Sequence, residues 1–198
     1  GLGIWRVVTK RTPEMDCSGL AFGGPEYKAG YTPISKDLCY AFVLTNPKRP
    51  DNGLSDADEM RRLLEGYHGN WDFIRGNIKD DDYMSFQEIE WLFVDDQPWH
   101  QGRVIAIGDA VHACPPLIAQ GGAVCSEDAL LLVQAVTKDG DIDKQLTDYT
   151  QARKDRVGIV VRNTLALAAL ELEGGPEAGQ EAAKIMGETL TAMAVPAW

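Results

Sequence analysis

GDAVHACPPLIAQGGAVCSEDA, residues 108–129, decides how the rest of the chain is read. It follows Val104-Ile105-Ala106-Ile107, an unbroken apolar run ended by Gly108. That pattern predicts a strand buried on both faces, as in a parallel sheet. Asp109 then sits at the carboxyl end of the strand, where open α/β sheets bind ligands, and its carboxylate suits sugar or polyol hydroxyls. Pro115 and Pro116 stiffen the loop that follows. Gln120-Gly121-Gly122 opens a helix predicted over 123–136, almost wholly apolar and so expected to be buried. The head of a helix carries unpaired N–H groups and the positive end of its dipole, which favour an anion or an electron-rich oxygen. Gly121 and Gly122 put no Cβ between that head and a flat ligand.

Outward from this stretch the chain changes character. Toward the amino terminus, GIWRVVT (3–9) and LCYAFVLT (38–45) read as strands, with Ile4, Arg6 and Val8 on one face of the first and Trp5 and Val7 on the other. The glycines and prolines between them point to antiparallel hairpins. Ser55 caps a helix with Met60, Leu63, Leu64 and Tyr67 at helical spacing, which Gly69-Asn70 is expected to end. Residues 74–82 read as a turn and an acidic loop, and SFQEIEWLFV (85–94) as a third long strand. Toward the carboxyl terminus, 143–173 reads as one long helix or two joined. Its stripe is Leu146, Tyr149, Arg153, Val157, Val160, Val161, Thr164, Leu165 and Ala168. Gly174-Gly175-Pro176 breaks it before a last helix over 177–193. The fold class is therefore α/β of the α+β kind: an antiparallel sheet, one strand–loop–helix unit of a Rossmann-like domain, then helices. Segment boundaries are expected at 1–100, 101–136 and 137–198.

The 198 residues suffice for a real core, and 44% of them are hydrophobic. Nineteen Lys and Arg against thirty Asp and Glu give a net charge of −11. With no basic cluster, nucleic acid and anionic membranes are poor partners. No apolar run approaches the roughly 20 residues of a membrane span, and no segment reads as a secretory leader. Cys17, Cys39, Cys114 and Cys125 show no CxxC spacing, which fits reduced thiols and a cytoplasmic location.

The 108–129 pattern resembles the FAD-dependent aromatic-ring hydroxylases, the flavoprotein monooxygenases of the para-hydroxybenzoate hydroxylase type. Their second flavin motif reads roughly GDAAH, then Pro, then GQG, then Glu-Asp-Ala. Here it stands without a gap as Gly108-Asp109-Ala110-Val111-His112, Pro115-Pro116, Ala119-Gln120-Gly121-Gly122 and Glu127-Asp128-Ala129. Gly3-Ile4-Trp5-Arg6, Gln101-Gly102-Arg103-Val104 and the Tyr149, Arg153, Arg156 series look like further family landmarks in the right order. Ala119 stands where many members carry Gly, and Ala123 where Asn or Cys is common. The family's amino-terminal GxGxxG has no counterpart, so the sequence reads as the carboxyl-terminal half of such an enzyme. Its expected partner is the amino-terminal dinucleotide-binding half.

The resemblance implies FAD as cofactor and NADPH or NADH as co-substrate. It implies transfer of oxygen from a flavin C4a-hydroperoxide to a small aromatic or similarly electron-rich molecule. The cofactor would carry the chemistry, so no residue is singled out as catalytic. Gly108, Asp109, Pro116, Gln120, Gly121, Gly122 and Ala123 would bind FAD: Asp109 at the ribityl hydroxyls, the amides of residues 121–123 at flavin N1 and O2. Pro115 would border the substrate. The antiparallel sheet would roof the substrate pocket, with Arg6 and Tyr31 as polar lining.

Plainer readings stand beside these. His112 reads as a packing or supporting residue rather than a base, and Cys114 as an inert small side chain. Trp5 and Trp91 read as core, and Arg153 and Arg156 as ion pairs pinning the long helix. Asp80-Asp81-Asp82 lacks the spacing of a calcium loop, and no metal site is expected. Two other functions compete: a flavin reductase or halogenase of the same superfamily, and a flavin-free fragment or degenerate relative acting through protein contacts. The substrate, the choice between NADH and NADPH, and the oligomeric state are not legible.

Overall fold

A computed structural model describes residues 1–196. The chain is a mixed α/β protein that divides into two compact units, residues 1–89 with 171–179, and residues 90–170 with those from 180 onward.

The first unit is built on a five-stranded antiparallel sheet of β1 (Gly3–Lys10), β2 (Gly19–Phe22), β3 (Lys28–Pro33), β4 (Leu38–Thr45) and β5 (Tyr83–Glu88), in the order β2-β3-β4-β1-β5. Period-two alternation drives it. Trp5 and Val7 lie opposite Val43 and Ala41, which lie opposite Ala29 and Tyr31, so all share one face. That face carries the first core, closed by α1 (Asp56–Leu63) and α2 (Asn70–Asn77) through Met60, Leu63, Leu64, Trp71 and Ile74. Ser55 caps α1, its Oγ accepting the Asp58 N–H at 3.1 Å.

Two expectations fail here. Residues 70–77 form a helix that takes up the first part of the turn and loop expected over 74–82, because Gly69-Asn70 starts a helix instead of ending one. The Asp72 carboxylate accepts the Gly69 N–H at 2.9 Å, and Trp71 and Ile74 face the core. The third strand runs over 83–88 and not 85–94: its pairing with β1 ends at Glu88, and beyond Ile89 the chain belongs to the other unit. Trp91 is consequently 55% exposed and not core, whereas Trp5 is buried.

The second unit contains the hairpin β6 (His100–Gln101) and β7 (Val104–Ile105), the short α3 (Asp109–His112), α4 (Gly121–Val136), α5 (Ile142–Glu173, whose last residues belong to the first unit) and α6 (Gly175–Ala194). The run 104–107 is not a doubly buried strand. Only Val104 and Ile105 are strand, their partner is the antiparallel β6, and Val104 is largely exposed. Nor is α4 buried all round. Only Val124 and Asp128 are buried, while Leu130, Val133 and Val136 face outward. A helix apolar on every side needs cover on every side, and the described residues cover one. The long helix over 142–173 and the last helix form as expected, separated by Gly174 with φ +70°. The final two residues of the expected 137–198 segment lie outside the described residues.

Candidate flavin-binding site

The turn into α3 needs a glycine. Gly108 has φ +63° and ψ −143°, a backbone region closed to other residues, and a Cβ there would approach the Cys125 sulfur to 3.2 Å. Asp109, the next residue, is exposed, and the Cys125 thiol lies 3.9 Å from its Oδ1. Cys125 stands one turn inside α4, so Asp109 lies beside the first turns of that helix.

The head of α4 is open. Gln120 makes no side-chain cap and the first turn holds no acid. Nothing lies within 4 Å of a Cβ built on Gly122, and the nearest atom to one on Gly121 is the Cys114 sulfur at 3.7 Å. The amides of Gly121, Gly122 and Ala123 therefore start an uncapped 16-residue helix, and among the described residues no side chain comes within 4 Å of a Cβ built on Gly122. Before it, Ala119 is the one non-glycine residue among those described with positive φ, +56°. That geometry costs an alanine about 1–2 kcal/mol, which explains why glycine serves well at this position.

Beneath the open surface lies a closed polar network. Asp128 is fully buried on α4. Its Oδ2 accepts the Gly108 N–H at 2.9 Å and His112 Nε2–H at 2.6 Å, and its Oδ1 accepts Arg153 Nε–H at 2.6 Å. The Tyr149 hydroxyl donates to its main-chain oxygen at 3.2 Å. Arg153 also donates to Glu127 at 3.0 Å and to the Val124 carbonyl at 3.1 Å, and Arg156 grips Glu127 with two donors at 2.7 and 2.5 Å. Two carboxylates face two guanidiniums. Burial pushes the Asp128 carboxyl up, but the bonds from His112, Gly108 and Arg153 together outweigh it and hold the group below its ordinary value. Arg156 does the same for Glu127. Burial, with the Asp109 charge behind it, raises the Cys114 and Cys125 thiols and keeps them protonated.

The structure thus gathers Gly108, Asp109, Gln120, Gly121, Gly122 and Ala123 into one region of the second unit. In the loop between, Pro115 is buried and Pro116 exposed. It does not bring the two expected substrate residues together. Arg6 pairs across the strands with Phe42 and Tyr31 with Ala41, which puts them on opposite faces of the sheet. Tyr31 packs edge-on to Trp71 at 4.9 Å and accepts a hydrogen bond from Asn70 at 2.8 Å, inside the first core. Arg6 lies on the other face, where its guanidinium meets Gln87. Strand phase alone hides this, because it takes the register between strands to fix which residues share a face.

Residues 92–164 match the FAD binding domain family profile. Over that stretch the chain is similar to the FAD binding domains of known proteins. YetM of Bacillus subtilis, assigned as an FAD-dependent monooxygenase, is 29% identical over 182 residues, 90% of this chain and 48% of YetM. The FAD-dependent urate hydroxylase of Mycolicibacterium vanbaalenii is 30% identical over 142 residues, 70% of this chain and 35% of that protein. The fold of Klebsiella pneumoniae HpxO, solved with FAD and uric acid, superposes with a TM-score of 0.75 at 22% identity, covering 96% of this chain and 49% of that one. The chain thus spans a third to a half of the curated monooxygenases it matches. The match falls on the second unit, around the open helix head and its buried network.

Proposed function

We propose that this chain supplies the second flavin-binding segment and the substrate sheet of an FAD-dependent monooxygenase. The enzyme would hydroxylate a small aromatic or similarly electron-rich molecule. One oxygen atom of O2 would go to the substrate and the other to water, with NADPH or NADH as the source of electrons. The observation that carries this reading is the uncapped head of α4 beside the exposed Asp109.

Bound FAD would supply the hydride acceptance and oxygen activation that no amino-acid side chain provides. The chain's own residues would bind and polarise it. Asp109 would accept hydrogen bonds from ribityl hydroxyls. The amides of Gly121, Gly122 and Ala123 would face the pyrimidine edge of the ring, where negative charge gathers on reduction. A helix head in that position stabilises such charge by about 1–2 kcal/mol. Glycine at 121 and 122 lets the backbone reach the ring plane. Pro116 and Gln120 would border the flavin and Pro115 the substrate side of the loop. Arg6, on the face of the sheet away from α1 and α2, is the better placed of the two substrate candidates. Tyr31 is committed to the core. Urate and quinolones, named for relatives, suggest a planar nitrogen heterocycle as substrate class.

The partner of this reading is the dinucleotide-binding half of the enzyme. The apolar side of α4 exposed at Leu130, Val133 and Val136 supports such a neighbour. No helix among the described residues is long and apolar enough to cross a membrane. A cytoplasmic location and the acidic balance fit together.

The test is Asp109→Ala in the full-length protein that carries this sequence, with FAD affinity read by flavin fluorescence. Loss of the ribityl contact is expected to weaken binding at least about tenfold, the value of one charge-assisted hydrogen bond. Unchanged affinity would overturn the assignment.

A further inference from the structure

We infer that Asp128, which is placed to touch no ligand itself, is the positioning residue that sets Asp109 against the open head of α4. The inference rests on the flavin reading above.

With four residues, α3 is too short to hold its own shape, since a helix of that length bears the full cost of nucleation and gains almost nothing by propagation. Its orientation must come from outside. Asp109 is its first residue and His112 its last, and Gly108 is the residue before it. A single oxygen, Oδ2 of Asp128, accepts the N–H of Gly108 and the Nε2–H of His112. The short helix is therefore tied at both ends to one atom. That atom belongs to α4, nearly two turns in from the amides of Gly121, Gly122 and Ala123. The separation of the Asp109 carboxylate from those amides is set by this double tie.

The main chain also holds the end of α3, the Val111 and Ala113 carbonyls accepting the Val94 and Leu92 N–H groups at 2.9 Å, but among the described residues Asp128 is the side chain that binds both of its ends. His112 is 1% exposed and its Nδ1 has no hydrogen-bond partner, so its polar anchoring rests on Asp128 alone. Asp128 is in turn fixed from behind by Arg153 Nε–H on Oδ1 and by the Tyr149 hydroxyl on its main-chain oxygen, both from α5. The neighbouring Glu127 makes a useful contrast. It pairs with Arg153 and Arg156 of the same helix, so it also joins α4 to α5, but it makes no bond to α3. Packing of the two helices and aiming of the cofactor loop are thus carried by adjacent side chains.

Those two roles can be separated by substitution. Asp128→Asn and Glu127→Gln would be made in the full-length protein, with His112→Gln as a milder second variant should Asp128→Asn fail to fold. Three quantities would be read: the Kd for FAD, the Tm without FAD, and the exchange protection of the Gly108 amide. Asp128→Asn is expected to weaken FAD binding by about 10-fold to 100-fold, the usual cost of losing a group that orients a binding residue, and to release the Gly108 amide. His112→Gln should shift Kd the same way by less. Glu127→Gln should lower Tm yet leave Kd within about threefold and Gly108 protected. Equal loss of FAD affinity in Asp128→Asn and Glu127→Gln at equal loss of Tm would overturn the inference, because helix packing alone would then explain both. Unchanged Kd in the two tie variants would overturn it as well. If the parent protein binds no FAD, the flavin reading fails, but the tie is still decided by the Gly108 amide: release in Asp128→Asn alone supports it, and equal protection in both variants sinks it.

Discussion

The two units each bury a carboxylate, and they do so in opposite ways. In the second unit Asp128 is surrounded by donors: one backbone N–H, one imidazole N–H and one guanidinium N–H converge on its two oxygens. In the first unit Glu171 has one partner among the described residues, the Lys28 ammonium at 3.1 Å, with both side chains about 95% buried. Lys28 in turn sits 4.7 Å from the centre of the Phe22 ring, opposite it across the sheet. Burial costs both carboxylates their hydration. Three donors more than offset that loss for Asp128, whose carboxyl is held low. One does not offset it for Glu171, whose carboxyl burial raises despite Lys28. The direction in which a buried acid shifts follows the number of hydrogen bonds aimed at it and not a counter-charge alone.

The sharpest way to break this contrast is to remove the largest donor. Arg153→Met leaves Asp128 ionised, buried and short of a partner, and strands Glu127 with Arg156 alone. The expected cost is about 3–5 kcal/mol of unfolding free energy, the usual penalty of halving a buried ion pair, read from denaturant midpoints. A loss under about 1 kcal/mol would mean that Asp128 can be satisfied by water and that the network is not closed. The pair in the first unit should respond less. Lys28→Met leaves Glu171 unpartnered, but a carboxyl already raised by burial is readily neutralised, so about 2 kcal/mol is expected. The double change Lys28→Met with Glu171→Leu should recover most of that loss, because an isolated buried pair is replaceable by apolar groups of similar size. The same replacement at Arg153 and Asp128 should recover little, since Gly108 and His112 would keep unanswered donors.

This contrast also marks how far the sequence could be read. Strands 3–9 and 38–45 were legible because alternation is local, and the likeness to FAD binding domains because the 108–129 spacing runs through 22 contiguous residues. Arg153 and Arg156 were legible as ion-pairing groups on the long helix. The role of Asp128 was not. Its three donors come from residues 108, 112 and 153, and only the folded chain puts a glycine amide 20 positions away beneath it. The same limit explains Tyr31. Its type suits a substrate pocket, but the register with β4 turned it into the core. It explains α4 too, whose apolar sequence promised burial on every side while the described chain covers one. Residues 70–77 failed for a different reason: Gly69 and Asn70 are as good a beginning as an ending, and the later Trp71 and Ile74 pattern had to choose between them.

The smallest expected effect is the most discriminating, because the two carboxylates should respond to pH with opposite sign. The unfolded chain holds Asp near 3.8 and Glu near 4.5. Asp128 lies below its value in the folded state, so its contribution is present in full above pH 3.8 and fades as pH falls through the folded value. Glu171 lies above its value, so its contribution is present in full below pH 4.5 and fades as pH rises through the folded value. Glu171→Gln should therefore flatten the stability profile above about pH 4.5, where the parent loses stability as pH rises. Asp128→Asn should flatten it below about pH 4, where the parent loses stability as pH falls. Each change in stability should be smaller than that of the ion-pair variants, and the two should have opposite signs of pH dependence. Denaturant titrations at several pH values would resolve it. Slopes of the same sign would mean that Lys28 outweighs the cost of burial after all, and that one well-placed ammonium does for Glu171 what three donors do for Asp128.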